Sequence, residues 1–219
     1  MTGWLSDVLD VSLLTLWISL AALGISALLG IPGGVLLALR RFRGRRLFRA
    51  LIYTGMGLPP VVVGLVVFLL LSRRGLLGEL GWLFTPAGMI VAQVIIALPI
   101  VAGLTAAALE SLDPELPLQV RSLGPTPVQE SATLLRQARG GLVAALLAGF
   151  GGIISEVGAA MLVGGNIEGR TRVLSTAIVL ETRRGAFATA LALGGVLLFL
   201  AFVVNALMLR LAATPRRSG

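Results

Sequence analysis

ESLDPELPLQVRSLGPTPVQESATLLRQARG, residues 110–140, is a polar passage dividing a chain that is otherwise strongly apolar; three apolar runs precede it and two follow. At about 30 residues it is long for a structureless connection. Pro114, Pro117, Pro125 and Pro127 punctuate it, and SLGPTP places a turn at Gly124. The pattern predicts a helix across Glu115–Leu123, a turn, and a second helix from near Val128 to about Arg139. A helix–Gly–helix element of this kind suits rigid-body transmission of force from a soluble partner pressed against it. The alternative is an ordinary inter-span loop.

The flanking apolar runs lie at about 11–39, 50–71, 86–109, 141–163 and 186–211. Several exceed the ~18 apolar residues that mark a membrane span. Backbone groups in lipid must be satisfied within the segment, and strand-like alternation is absent, so the runs read as helices. The expected fold is therefore an all-α membrane protein with five transmembrane helices in one domain over 11–211. The first run contains Gly30, Pro32, Gly33 and Gly34, so a tilt or a kink is expected near Pro32. The leading MTGWLSDVLD is acidic, lacks the positive start of a signal peptide, and is expected to run into a retained helix.

Composition narrows the chemistry. The 219 residues are 57% hydrophobic, with a mean hydropathy of +0.98. There is no Cys and no His, which excludes thiolate chemistry, imidazole bases and Cys/His metal sites. All 18 basic residues are Arg, and a phosphate-binding P-loop needs a Lys, so the chain carries no such nucleotide site. No catalytic residue, metal or cofactor is expected, and the chain does not read as an enzyme.

Arginine placement orients the spans. Six Arg lie in RRFRGRRLFR (40–49), three more are Arg121, Arg136 and Arg139, and the tail adds Arg210, Arg216 and Arg217. With five spans these regions share one side, giving twelve Arg against four acids; the other side has six Arg and five acids. The amino terminus is thus expected outside and the carboxyl terminus in the cytoplasm. The 40–49 cluster reads as a topology signal touching the anionic lipid bilayer. Only Phe42 and Phe48 accompany it, too few for base stacking, so no nucleic acid partner is expected.

Several further features bear on function. Glu156 is the only acid deep inside a predicted span, beside Ser155 and among Gly151, Gly152, Gly158, Gly164 and Gly165. Such a residue is costly in lipid and faces a cavity or a partner. It reads either as a helix-holding or gate residue or as the proton site of a secondary carrier. GMGLPP (55–60) breaks the second span at Pro59 and Pro60, which is tolerated where backbone lines a cavity; a packing kink is the alternative. In the outer segment 164–185, Val173–Leu180 is too short to cross, and a short helix or a surface loop both fit. The outer Arg pairs 73/74, 170/172 and 183/184 either draw an anion or an acidic partner, or are balanced by Glu79, Glu168 and Glu181.

The 110–140 passage resembles the coupling loop of ABC-importer permeases, whose pattern is E-A-A, three residues, G, and a later I-x-L-P. Here Gly124 follows QVRSL, and LLRQARGGL occupies the distal part; Leu118-Gln119-Val120 stands where the triplet would be, and the later Pro is absent. SEVGAAMLVGGN (155–166) is similar to the G-E-F-G-A stretch of oxyanion permeases for molybdate, sulfate and tungstate. GLPPVVVGLVVFLLLSRRGLLGELGWLFTP, SLDPELPLQVRSLG, ISEVGAAMLVGGNI and RVLSTAIVLET look most like the tungstate type, and the resemblance covers about residues 10–210. It implies a type I ABC-importer permease of a bacterial or archaeal plasma membrane, with two copies enclosing the pore. Two ATP-binding subunits would lie below and an extracytoplasmic substrate-binding protein above. Contact with the ATPase would fall on Glu115, Arg121, Ser122, Leu123, Gly124 and Pro125. Pore or gate positions would be Pro59, Pro60, Ser155, Glu156, Gly158, Gly164 and Asn166. A channel or scaffold without energy coupling is the remaining rival.

Overall fold

The computed structural model describes residues 2–212, which form ten α-helices and a single 3-10 turn, with no strand among the described residues. Arg216 and Arg217, counted in the orientation argument, lie outside the described residues. The helices are α1 (Thr2–Leu39), α2 (Arg45–Met56), α3 (Pro60–Leu71), α4 (Pro86–Glu110), α5 (Leu116–Ser122), α6 (Pro127–Gln137), α7 (Arg139–Ile154), α8 (Gly158–Gly164), α9 (Leu174–Arg183) and α10 (Phe187–Ala212). Three are long and apolar enough to cross a membrane alone: Trp4–Leu39, Pro86–Glu110 and Phe187–Arg210. The number rises to five if each of two bent pairs is one span: α2 with α3, bent by 105°, and α6 with α7, bent by 79°.

α1 begins at Thr2, earlier than the apolar run at 11, and continues through Pro32 to Leu39. Hydropathy locates the buried part of a helix and not its end, so Asp7 and Asp10 are helical too. α1 and α4 make the most extensive helix–helix contact. Lipid tails are as apolar as leucine, so such contacts rest on close packing rather than on the hydrophobic effect. The sequence supplies small residues for it: Ser12, Thr15, Ser19, Ala22 and Ser26 recur at three- and four-residue spacing, and all are buried. Gly30 and Gly34 continue that stripe against α4. A Cβ on Gly34 would stand 2.6 Å from the Ala102 carbonyl oxygen, so only glycine permits this approach.

Around this pair the core joins α1, α3, α4, α7 and α8 through Leu23, Val67, Ala97, Val101, Phe150, Ile153 and Val163. By contrast, α10 turns Leu191, Leu198, Phe199 and Phe202 outward. A stripe of that kind is untenable in water and ordinary against lipid.

The first interior break is local in origin. At Pro59–Pro60 two consecutive imino acids remove donors, and α3 restarts with Pro60 in its first turn, a position that needs no N–H. The fourth apolar run, 141–163, is likewise interrupted, which apolarity alone does not reveal. α7 stops at Ile154, and its 16 residues reach only about 24 Å, short of the hydrocarbon thickness. After Ser155-Glu156-Val157 the chain restarts as α8. The segment 164–185 contains a helix, α9, with Leu174, Ser175, Thr176 and Ala177 buried, so of the two readings the helix holds and the surface loop does not.

Candidate functional site

Two groups of residues singled out from the sequence are brought together by the fold, and each has its own chemistry. The first is the pair of helix breaks. Gly158 opens α8 so close to α3 that a Cβ there would stand 2.5 Å from Val61 Cγ2. Pro59, Pro60, Ser155, Glu156 and Gly158 therefore sit together where α3 meets α8. Gly164 and Asn166 do not join them: Gly164 is the last residue of α8 and Asn166 lies just past it, about 10 Å along the axis from Gly158. There Gly164 packs on Met89 of α4, and Asn166 adopts φ 53 with its Oδ1 buried and unpartnered.

Glu156 is not inside a continuous helix, as the unbroken apolar run had implied; it occupies the break between α7 and α8 and is half-buried. Its Oε1 accepts from the Ala159 backbone N–H at 2.9 Å, satisfying one of the orphan donors at the start of α8. Its backbone carbonyl accepts from Ser175 Oγ on α9 at 3.0 Å. The Ser155 hydroxyl, expected beside the carboxylate, instead donates to the Gly151 carbonyl at 2.8 Å. Freed carbonyls are shared as well: Ile153 O accepts the Glu156 N–H at 3.2 Å and Gln93 Nε2 of α4 at 3.5 Å. A carboxylate engaged as a helix cap serves structure first, and its negative charge offers nothing attractive to an anion.

The second group is the 110–140 connection. α5 and α6 meet at Gly124, whose φ of 69 belongs to the left-handed region that glycine adopts without strain. Pro127 occupies the first turn of α6 behind a capping box: the Thr126 hydroxyl accepts the Gln129 N–H at 3.4 Å, and Gln129 Oε1 accepts the Thr126 N–H at 2.8 Å. Glu115 precedes α5, with its N–H on Asp113 Oδ1 at 2.9 Å. Arg121 and Ser122 end α5, and Leu123, Gly124 and Pro125 form the turn. The inward side buries Val120, Leu134 and Ala138 against Leu109. The outward side keeps Leu118, Leu123 and Val128 at 64%, 85% and 77% exposure, which is costly in water unless a partner covers them.

Two carboxylates overlooked in the sequence tie this connection to the rest. Glu110, at the end of α4, takes Arg45 at 3.4 Å and Arg49, both from α2. Glu130 on α6 takes Arg121 Nε at 2.8 Å and Arg40 at 3.7 Å. A signal for the second was available: Glu130 shares a face with Leu134 and Ala138 at four-residue spacing, a lone acid on an apolar stripe. Half of the 40–49 arginines are thus engaged with carboxylates rather than left to lipid. On the 164–185 side, Arg172 pairs with Glu168 at 3.2 Å and Arg184 with Glu181 at 2.8 Å, whereas among the described residues no ion pair joins Glu79 to Arg73 or Arg74. No cluster of metal-ligating side chains occurs among the described residues.

The apolar helical body and the helix–turn–helix platform with outward apolar side chains define the class by fold, an all-α membrane protein. The chain belongs to the family of binding-protein-dependent transport system inner membrane components, which it matches over residues 30–217. It is similar to a probable anion ABC transporter permease protein of Haloferax volcanii, at 42% identity over 98% of this chain and 95% of that protein. It is also similar to the tungstate uptake system permease protein TupB of Peptoclostridium acidaminophilum, at 38% identity over 92% and 89% of the two chains. Its fold matches a chain of the inward-facing MetNI methionine ABC transporter with a TM-score of 0.76, at 20% identity, over 98% of this chain and 100% of that one. The chain is thus an ABC permease subunit, a multi-pass protein of the inner membrane.

Proposed function

We propose that this chain is the permease subunit of an ATP-driven importer for an oxyanion, most specifically tungstate. The observation that carries the reading is the similarity, at 38% and 39% identity, to two tungstate uptake permeases, that of Peptoclostridium acidaminophilum and that of Campylobacter jejuni. The exposed side of α5 and α6 supports the ATP-driven part: Leu118, Leu123 and Val128 around Gly124 form a compact apolar surface suited to a groove on an ATP-binding subunit. In this reading the 110–140 connection is cytoplasmic, the amino terminus is outside, and the spans are 11–39, 50–71, 86–109, 141–163 and 186–211. Two copies enclose the path, each lining it with the paired breaks at Pro59–Pro60 and Ser155–Gly158. A binding protein delivers the anion from outside. Closure of the ATPase pair pushes on Glu115–Pro125 and shifts the balance between inward- and outward-open states. Substrate selection rests with the binding protein.

The carrier alternative needs Glu156 as an exchangeable proton site, and its use as the cap of α8 weighs against that. The deciding experiment purifies the chain in mild detergent with its native partners. An ATP-binding subunit and a binding protein should accompany it, and that binding protein should prefer tungstate over molybdate and sulfate. Absence of an ATPase overturns the importer reading; preference for another oxyanion changes the substrate and leaves the class intact.

A further inference from the structure

Among the described residues Glu130 is the only charged one that is buried, at 5% exposure. A buried carboxylate is tolerated only when well paired, and here each oxygen takes a different arginine from a different part of the chain. Oε1 accepts from Arg121 Nε on α5 at 2.8 Å, and Oε2 lies 3.7 Å from Arg40, one residue beyond the end of α1. The carboxylate on α6 is therefore a bridge between α5 and the end of α1. α5 is seven residues long, too short to hold its shape unaided. Its other attachments are apolar, Val120 in the cluster with Leu109, Leu134 and Ala138 and Leu116 packed against it. Apolar contact has no preferred direction and lets a short helix roll or slide. The Arg121 arm is a charge-assisted hydrogen bond, which fixes both distance and orientation, and the Arg40 arm at 3.7 Å adds an ion pair that holds the carboxylate toward the end of α1.

We infer that Glu130 is a positioning residue for energy coupling: it locks α5 to the end of α1, so that a push on α5 moves α1 and the α4 packed along it instead of rotating or melting the short helix. This rests on the reading of α5 as the surface that meets the ATPase. The arginines are 39% and 49% exposed and rehydrate if the bridge is lost, so its removal loosens α5 more than it unfolds the protein.

The test compares wild type, Glu130→Gln, Glu130→Asp and Arg121→Gln in the complete complex. Hydrogen–deuterium exchange over 116–123 is expected to quicken roughly tenfold in Glu130→Gln while 86–110 keeps its protection. In proteoliposomes, tungstate taken up per ATP hydrolysed should fall roughly tenfold with the ATPase still bound. That ratio does not move when a variant merely leaves fewer folded molecules. Glu130→Asp should recover part of both signals. Arg121→Gln, altering a half-exposed side chain, should repeat the effect and decides the matter if Glu130→Gln fails to assemble. Wild-type exchange and wild-type uptake per ATP in Glu130→Gln, or in Arg121→Gln where that variant decides, overturn the inference. If wild type carries no ATPase, the importer reading fails, and the exchange measurement alone still decides whether the bridge holds α5.

Discussion

The 110–140 and 164–185 connections each contain short helices between spans, and they are tied to the rest of the protein by different chemistry. In 164–185 the bonds that reach the rest of the body are neutral hydroxyl bonds, and its two ion pairs, Arg172–Glu168 and Arg184–Glu181, join neighbours three or four residues apart. The Thr171 hydroxyl donates to the Gly164 carbonyl at 2.6 Å and accepts from the Ile167 N–H at 3.0 Å. Thr176 closes the start of α9, and the Leu174 N–H donates to Thr15 Oγ1 of α1 at 2.9 Å. Thr171, Thr176, Leu174 and Thr15 are all buried, which makes α9 part of the packed body. In 110–140 the ties are ion pairs with half-exposed arginines, and apolar side chains point away from the body. Neutral hydroxyl bonds hold a helix without water, and removing one leaves an orphaned group. Ion pairs hold a short helix in one orientation even where water reaches its arginines, which suits an element that passes on a push as a unit.

The contrast breaks first at Thr171. Thr171→Val leaves the Gly164 carbonyl without this donor in a buried site and the part-buried Ile167 N–H without its acceptor, so a stability loss of about 2 kcal/mol is expected in thermal unfolding in detergent. The equivalent cut in the other connection, Thr126→Val, removes only an exposed cap and should cost about 1 kcal/mol or less. Equal losses in the two variants would erase the distinction between body and platform. A smaller effect tests the platform itself. Nothing stands within 4 Å of a Cβ built on Gly124, so Gly124→Val is opposed only by its positive φ, about 1–2 kcal/mol of local strain. Membrane insertion should be normal, and uptake per ATP should drop; unchanged transport would remove Gly124 from the mechanism. The smallest effect belongs to the break that α9 supports. Glu156→Gln keeps an oxygen to cap Ala159 and should shift stability by less than about 0.5 kcal/mol. Uptake in the variant should stay indifferent to a proton gradient, and loss of a gradient-driven flux would revive the carrier.

Much of the platform was legible because its signals are local. Proline, glycine and polar runs placed α5 and α6 to within a few residues, and two adjacent prolines placed the break before α3. The break at Ser155-Glu156-Val157 carries no proline, and the apolar residues on both sides average it away in any window wide enough to detect a span. Glu156 was noticed as an intramembrane charge, but its partner, the Ala159 N–H, exists as an orphan donor only because α8 starts there. Glu130 was passed over because one of its arginines comes from the far end of α1. The sequence is compatible with both a helix and a loop at α9 for a like reason: the atom that anchors its start, Thr15 Oγ1, lies 159 residues from Leu174.

By itself the sequence determined the all-helical class, the approximate positions of the apolar runs, the turn at Gly124 and the absence of thiol, imidazole and P-loop chemistry. These follow from composition, periodicity and the backbone rules of proline and glycine, all of which act over a few residues. Tertiary structure alone decided that α8 is separate from α7, that α9 belongs to the core, and that Glu110 and Glu130 gather the arginines of 40–49 and α5. Those outcomes depend on which distant group satisfies a buried donor or charge, and that pairing exists only once the chain has folded.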